Sequence, residues 1–264
     1  VSYRSSDLEM PPKRKLGKRQ VEDLTRWVAM GAPWPVDKGA VANEQKPGQE
    51  FRITEEDRGY WAFRPLRENG EKHFDEIIES ALKEKELVAN PVASREVLIR
   101  RAYYTLIGLP PTFAEVRAFV SDPDPGAFSK LVDRLLAMPE YGERWGRHWL
   151  DVVRFAQSNG YERDDEKPNA WRYRDYVISS FNQDKPYDRF VLEQIAGDEL
   201  PDGGDEGWIA TGFHRLGVWD DEPDDKRAAE FDGQDDILKT TTETFLGLTV
   251  GCARCHDHMF DPIS

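Results

Sequence analysis

Cysteine is nearly missing from this chain, with two residues in 264, too few for the disulfide framework of a small secreted scaffold. Long apolar runs are missing too. No stretch approaches the ~20 consecutive apolar residues that a membrane helix needs, so no membrane span is expected. Positive charge is in deficit: 36 Lys and Arg face 50 Asp and Glu, a formal net charge of -14. Such a field repels nucleic acid and anionic membrane, and the short basic run from Lys13 to Arg19 reads as the wet face of a helix. Nucleic acid is therefore not an expected partner. Alternating strand patterns of useful length are absent as well. Histidine and methionine number five and four, which leaves few residues able to ligate a soft metal.

Aromatic side chains, in contrast, are plentiful. Eight Trp, nine Tyr and 13 Phe supply bulky material for one sizeable core or two small ones. Residues 16–30 carry Val21, Leu24, Trp27 and Val28 at helical intervals and stop at Gly31-Ala32-Pro33. From Val36 to Arg58 the chain is rich in Gly, Lys, Glu and Gln without periodicity, which reads as a linker. The expected organisation is a segment 1–35, a linker 36–58 and a main domain 59–264. Helical patterns recur over about 74–88, 94–108, 112–121, 126–138, 140–157, 169–183, 187–196 and 226–249. The fold class expected is all-α, an irregular helical bundle interrupted by polar loops at 158–168 and 214–226, where function tends to collect.

Both cysteines lie in Cys252-Ala253-Arg254-Cys255-His256. C-x-x-C-H is the spacing that captures a c-type haem: two thiols add to the vinyl groups on one edge of the porphyrin, and the adjacent imidazole ligates the iron. A thioredoxin-type site would sit beside a strand in a βαβ pattern, and a zinc site would want two further soft ligands. His256 and His258 could supply nitrogens, so zinc stays open beside haem. The expected cofactor is one covalent haem c, which would bind iron through His256. Covalent attachment takes place outside the cytoplasm, so a periplasmic or otherwise extracytoplasmic location follows.

The opposite face of the iron needs a ligand or an open pocket. On the helix expected over 140–157, His148 shares a stripe with Trp145, Trp149, Val152, Val153 and Ala156. It is the favoured second ligand or distal acid/base, against the plainer role of a satisfied core histidine. His214 is the next choice. His258 and Met259 are tethered too near His256 to cross the ring. Arg154, Arg172 and Arg174 could hold haem propionates with paired N–H donors, the plain alternative for each being a surface role. Acidic residues crowd the two long loops, where Ca²⁺ is a further cofactor to consider, although no regular D-x-D-x-D-G loop appears.

Several phrases occur together in one order: Trp61-Ala62-Phe63, residues 106–112, Tyr141 to Trp145 with Arg147-His148-Trp149, Asn159 to Glu162, Trp171 to Asp175, Lys185 to Asp188, Ala210 to Phe213, and Phe245 to Pro262. Together they resemble a planctomycete cytochrome-c-like family of large secreted proteins, whose central domain of uncharacterised function carries a C-x-x-C-H-x-H element. The likeness spans roughly residues 60–264. Met10-Pro11-Pro12 and the helix after it look like the tail of a separate cytochrome c domain, in which Met10 would be an axial ligand. Its own C-x-x-C-H is missing here, so Met10 could serve only a second haem supplied from elsewhere. The resemblance also implies that this chain is a piece of something longer, associated with the remaining domains. The leading functional expectation is a periplasmic, electron-transferring cytochrome domain with a redox partner protein. A peroxidase-like or other haem oxidoreductase with an open distal site is one alternative, and a haem-stabilised interaction module of a secreted assembly is another.

Overall fold

A computed structural model describes residues 16–32, 52–65, 73–258 and 261–264. Among these residues the chain is helical, with no strand and a single isolated bridge between Ser158 and Glu166. The all-α expectation holds; haem binding is a separate matter. Met10 and Met259, and most of the linker expected over 36–58, lie outside the described residues.

The chain divides into two units: residues 1–65 with 255–264, and residues 66–254. In the first unit lie α1 (Lys18–Ala29) and the one-turn α2 (Glu55–Arg58). Thr54 caps α2 by accepting from the Asp57 amide, and the Asp57 carboxylate accepts from the Thr54 amide in return.

The second unit carries α3 (Phe74–Glu84), α4 (Arg95–Leu106), α5 (Phe113–Ser121), α6 (Ala127–Leu136) and α7 (Pro139–Val152). These are followed by α8 (Ala170–Asn182), α9 (Tyr187–Ala196), α10 (Gly204–Ala210) and α11 (Lys226–Thr241). Its first core joins α4, α5 and α6 through Ile99, Tyr103, Phe119, Leu131 and Leu135. In α6 the buried residues are Ala127, Leu131 and Leu135, a four-residue repeat that lays one stripe on the core. The Thr112–Glu115 capping box starts α5, with the Thr112 amide donating to Glu115 Oε2 at 2.8 Å.

The second core gathers Val153, Tyr173, Tyr176, Val177, Phe190, Phe213 and Leu216. Its keystone is the crossing of α7 and α8. A Cβ on Gly142 would overlap the Ile178 carbonyl oxygen and stand 2.6 Å from Asn182 Cγ, and one on Gly146 would stand 3.2 Å from Ile178 Cγ1. Glycine at these two places is what lets the helix backbones approach. Asn182 closes the contact by accepting from the Gly142 amide at 2.8 Å and donating to the Pro139 carbonyl at 3.1 Å.

Helix α3 ends at Glu84, four residues short of its expected end, and two boundaries differ by more. The chain leaves α7 after Val152 rather than running to residue 157, because Arg154 takes a left-handed turn, φ 53°. Helix α11 ends at Thr241 and passes through one π-helical turn, Thr242–Leu246, to Gly247 at φ 65°. Helix α10 and the 3₁₀ turn Thr211–Arg215 occupy a stretch where no helix is expected from the sequence.

Candidate functional site

Val250–Arg254 forms a 3₁₀ turn that carries Cys252, and the Cys252 amide donates to the Thr249 carbonyl at 3.1 Å. The turn is fastened to α11. Arg254 reaches Asp232 at 2.5 Å and Asp235 at 2.7 Å, two carboxylates one turn apart on that helix. Such exposed pairs hold orientation more than they add stability. The boundary between the two units falls inside C-x-x-C-H, between Arg254 and Cys255.

Neither cysteine forms a disulfide, and both are exposed. His256 is also exposed, and its Nδ1 lies 2.8 Å from the Asp257 carbonyl oxygen. A carbonyl can only accept, so Nδ1 is the donor, and in the neutral ring that leaves Nε2 as the nitrogen with the lone pair. That is the tautomer a metal-binding imidazole needs, with its far nitrogen anchored to a backbone oxygen. His258 is different. Its Nδ1 accepts from the Asp261 amide at 2.7 Å, and its own amide donates to the Ile263 carbonyl at 2.8 Å, so it shapes the turn that follows the motif.

The donor chemistry here fits the haem that the resemblance implies: two unpaired thiols three residues apart and an imidazole set up to coordinate through Nε2. Among the described residues, no three or more His, Cys, Asp or Glu side chains are grouped to hold a bare metal ion. The acidic loops instead spend their carboxylates locally. Asp164 accepts from the Gly160 amide at 2.7 Å, Asp221 from Asn159 Nδ2 at 3.1 Å, and Glu222 pairs with Arg163.

His148 corrects the sequence reading, for its side chain is exposed rather than buried. The face of α7 that enters the protein runs through Gly142, Gly146 and Trp149 and continues to Val153. At 100° per residue His148 stands roughly 120° round the helix from that line. Two tryptophans suggest the wrong stripe, because burial here follows the glycines that allow close approach. The His148 ring lies beside Trp145 instead, centroids 5.5 Å apart. His214 is half-buried, with Nε2 3.1 Å from the Ile195 carbonyl oxygen and its ring edge-on to Phe213, the arrangement of a satisfied structural histidine.

The three arginines also have partners. Arg154 grips Asp236 with Nε 3.0 and 2.9 Å from the two carboxylate oxygens and Nη2 2.5 Å from one, tying the end of α7 to α11. Arg174 donates to its neighbour Asp175 at 2.9 Å. Arg172 is exposed, lies over the Trp171 ring and donates to Asn169 at 3.4 Å. It also lines an open cleft of about 570 Å³ in the second unit, which the sequence did not suggest.

No helix among the described residues is long and apolar enough to cross a membrane. No curated protein matches the chain, and no solved structure does. A family profile described as PSCyt2, protein of unknown function (DUF1549), matches residues 73–264. That stretch covers both cores and the whole C-x-x-C-H motif, and the chain belongs to this family.

Proposed function

We propose that Cys252, Cys255 and His256 hold one covalent haem c, and that the chain is an electron-transfer module working outside the cytoplasm. One observation carries the reading: both cysteines of the chain stand as exposed thiols at C-x-x-C-H spacing, next to an imidazole whose Nδ1 is already engaged by a carbonyl. Each thiol would add across one vinyl group, Sγ bonding to one carbon while the thiol proton goes to the other. No oxidant is consumed and nothing leaves, but both sulfurs must first be reduced. His256 Nε2 would supply the proximal ligand, with Asp257 fixing the ring through Nδ1. When bound, the haem would supply a one-electron iron couple. The ion pairs from Arg254 to Asp232 and Asp235 would hold the first thiol's turn against α11 as attachment proceeds. The peroxidase-like alternative would have His148 or an arginine move protons at an open distal site; His148 is exposed, and Arg154 and Arg174 are already paired with carboxylates.

Expression with a cytochrome c maturation system tests this. Denatured protein should keep its haem on a gel, with a mass one haem above the polypeptide. Cys252→Ser or Cys255→Ser should leave a single thioether, visible as a shifted haemochrome band, and the double variant should lose the covalent haem. Protein that matures with stoichiometric zinc and no porphyrin would refute the proposal.

A further inference from the structure

The cleft that Arg172 lines is independent of the haem reading. It opens between the loop 159–168, the first turn of α8, the end of α10 and the 3₁₀ turn Thr211–Arg215. Its volume falls in the range of small-molecule sites. Tyr173, Trp208 and Leu216 supply apolar wall, and Lys167, Arg172 and Arg215 bring three cations to it against the single carboxylate of Glu166. Among the described residues none of the three cations pairs with a carboxylate. Lys167 Nζ donates to the Leu216 and Gly217 carbonyls at 3.1 and 2.6 Å, Arg172 to the Asn169 side chain, and Arg215 lies over Trp219. In a chain of net charge -14, a cleft so lined runs against the overall field.

Two further features point the same way. The loop wall is tied down by its backbone: the Asn159 amide donates to Asp165 O at 2.8 Å, the Lys167 amide to Gln157 O at 2.7 Å and the Trp219 amide to Asn159 O at 2.9 Å. The cations therefore sit on a preformed frame. Burial and the nearby Arg215 and Arg154 guanidiniums hold the Lys167 ammonium below the usual lysine range, against the pull of Asp236. Asp236 is already engaged by Arg154, so the like charges lack a counter-ion of their own.

We propose that this cleft binds a small organic acid, its carboxylate facing Lys167, Arg172 and Arg215 and its ring against Trp208. Arg can take a carboxylate with two parallel bonds, and the aromatic wall offers a face to an aromatic or a sugar ring. The two sources of such a ring are separated by the probes. Calorimetric titration of the full chain with benzoate and with glucuronate, beside benzyl alcohol and glucose as neutral counterparts, reads the site directly. At least one acid should bind at least about tenfold more tightly than its neutral counterpart, since charge-assisted hydrogen bonds add to the ring contact. The acid that binds identifies the ring. The double variant Arg172→Met/Arg215→Met should weaken that acid about tenfold or more while circular dichroism shows the helices intact. Trp208, exposed on the cleft wall, gives a second variant, Trp208→Ala, which should weaken the acid and leave the fold unchanged. Acid and neutral probes binding alike, no acid binding at millimolar concentration, or full affinity in the double variant would each overturn the proposal.

Discussion

Glu115 is kept ionised by the groups that begin α5. The Tyr103 hydroxyl first, then the Thr112 side chain and amide, pull its carboxyl from 4.5 down to about 2, with Arg134 assisting and partial burial opposing. The folded value lies below the unfolded one, so the stabilisation is complete above about pH 4.5 and is lost as pH falls through about 2. Glu115→Ala should destabilise by about 1 kcal/mol near neutral pH, the scale of a lost cap plus a solvent-screened ion pair. Denaturant melts should show the gap to the parent protein closing with acid, and a gap unchanged down to about pH 2.5 would contradict the assignment. Glu193 has more at stake. It is 3% exposed and accepts from Lys185 at 2.6 Å, Arg189 at 2.6 Å and Tyr176 at 2.9 Å. Burial pushes its pKa up, yet Lys185, Arg189 and Tyr176 together hold it below the ordinary value. Glu193→Leu should cost about 3 kcal/mol or more by leaving Lys185 buried with only Glu206. Adding Lys185→Met should recover much of that loss, and a double variant no better than the single would show that the charge pairing is not the cause.

Glycine means opposite things in two helices, and the difference is measurable. At Gly142 an added methyl meets the Ile178 carbonyl and the Asn182 amide, whereas at Gly233 in α11 nothing lies within 4 Å. Gly142→Ala should cost about 2 kcal/mol or more through overpacking, and Gly233→Ala should gain about 0.5–1 kcal/mol by restricting the unfolded chain. Thermal melts that move in the same direction for both would refute this account of the α7–α8 crossing. The same glycines explain what was legible in the sequence at this scale. Helices read from their apolar periodicity, such as α5, α6 and α9, lie within a residue or two of their expected ends. Helix α10 was not foreseen because Gly203, Gly204 and Gly207 read as breakers. In the fold a Cβ on Gly203 or Gly207 would overlap the Gly197 carbonyl oxygen, so they are close-approach residues. His148 was misplaced for a related reason, since hydrophobic periodicity gives weight to large side chains and none to the absence of one.

Across the whole chain, the C-x-x-C-H motif was legible because its chemistry is contiguous. The cationic cleft was not, because residues from 159 to 216 meet there only after folding and their charges vanish into a net -14. That net charge bears on how charged reactants approach the chain. An acidic field draws cationic reactants and slows anionic ones, and salt weakens both effects as the Debye length shrinks from ~30 Å at about 0.01 M to ~8 Å at about 0.15 M. If the chain transfers electrons through a haem at Cys252, Cys255 and His256, the reduced protein should be oxidised faster by hexaammineruthenium than by ferricyanide at low salt, once each rate is corrected for driving force. The two corrected rates should converge as salt is added. The acidic residues Asp257 and Asp261 directly after the motif add to that preference at the reacting end. Stopped-flow rates that favour the anionic reagent at low salt, or that ignore salt, would show that the reacting edge does not feel the field of the chain, and the partner would then have to be recognised by contact rather than by charge.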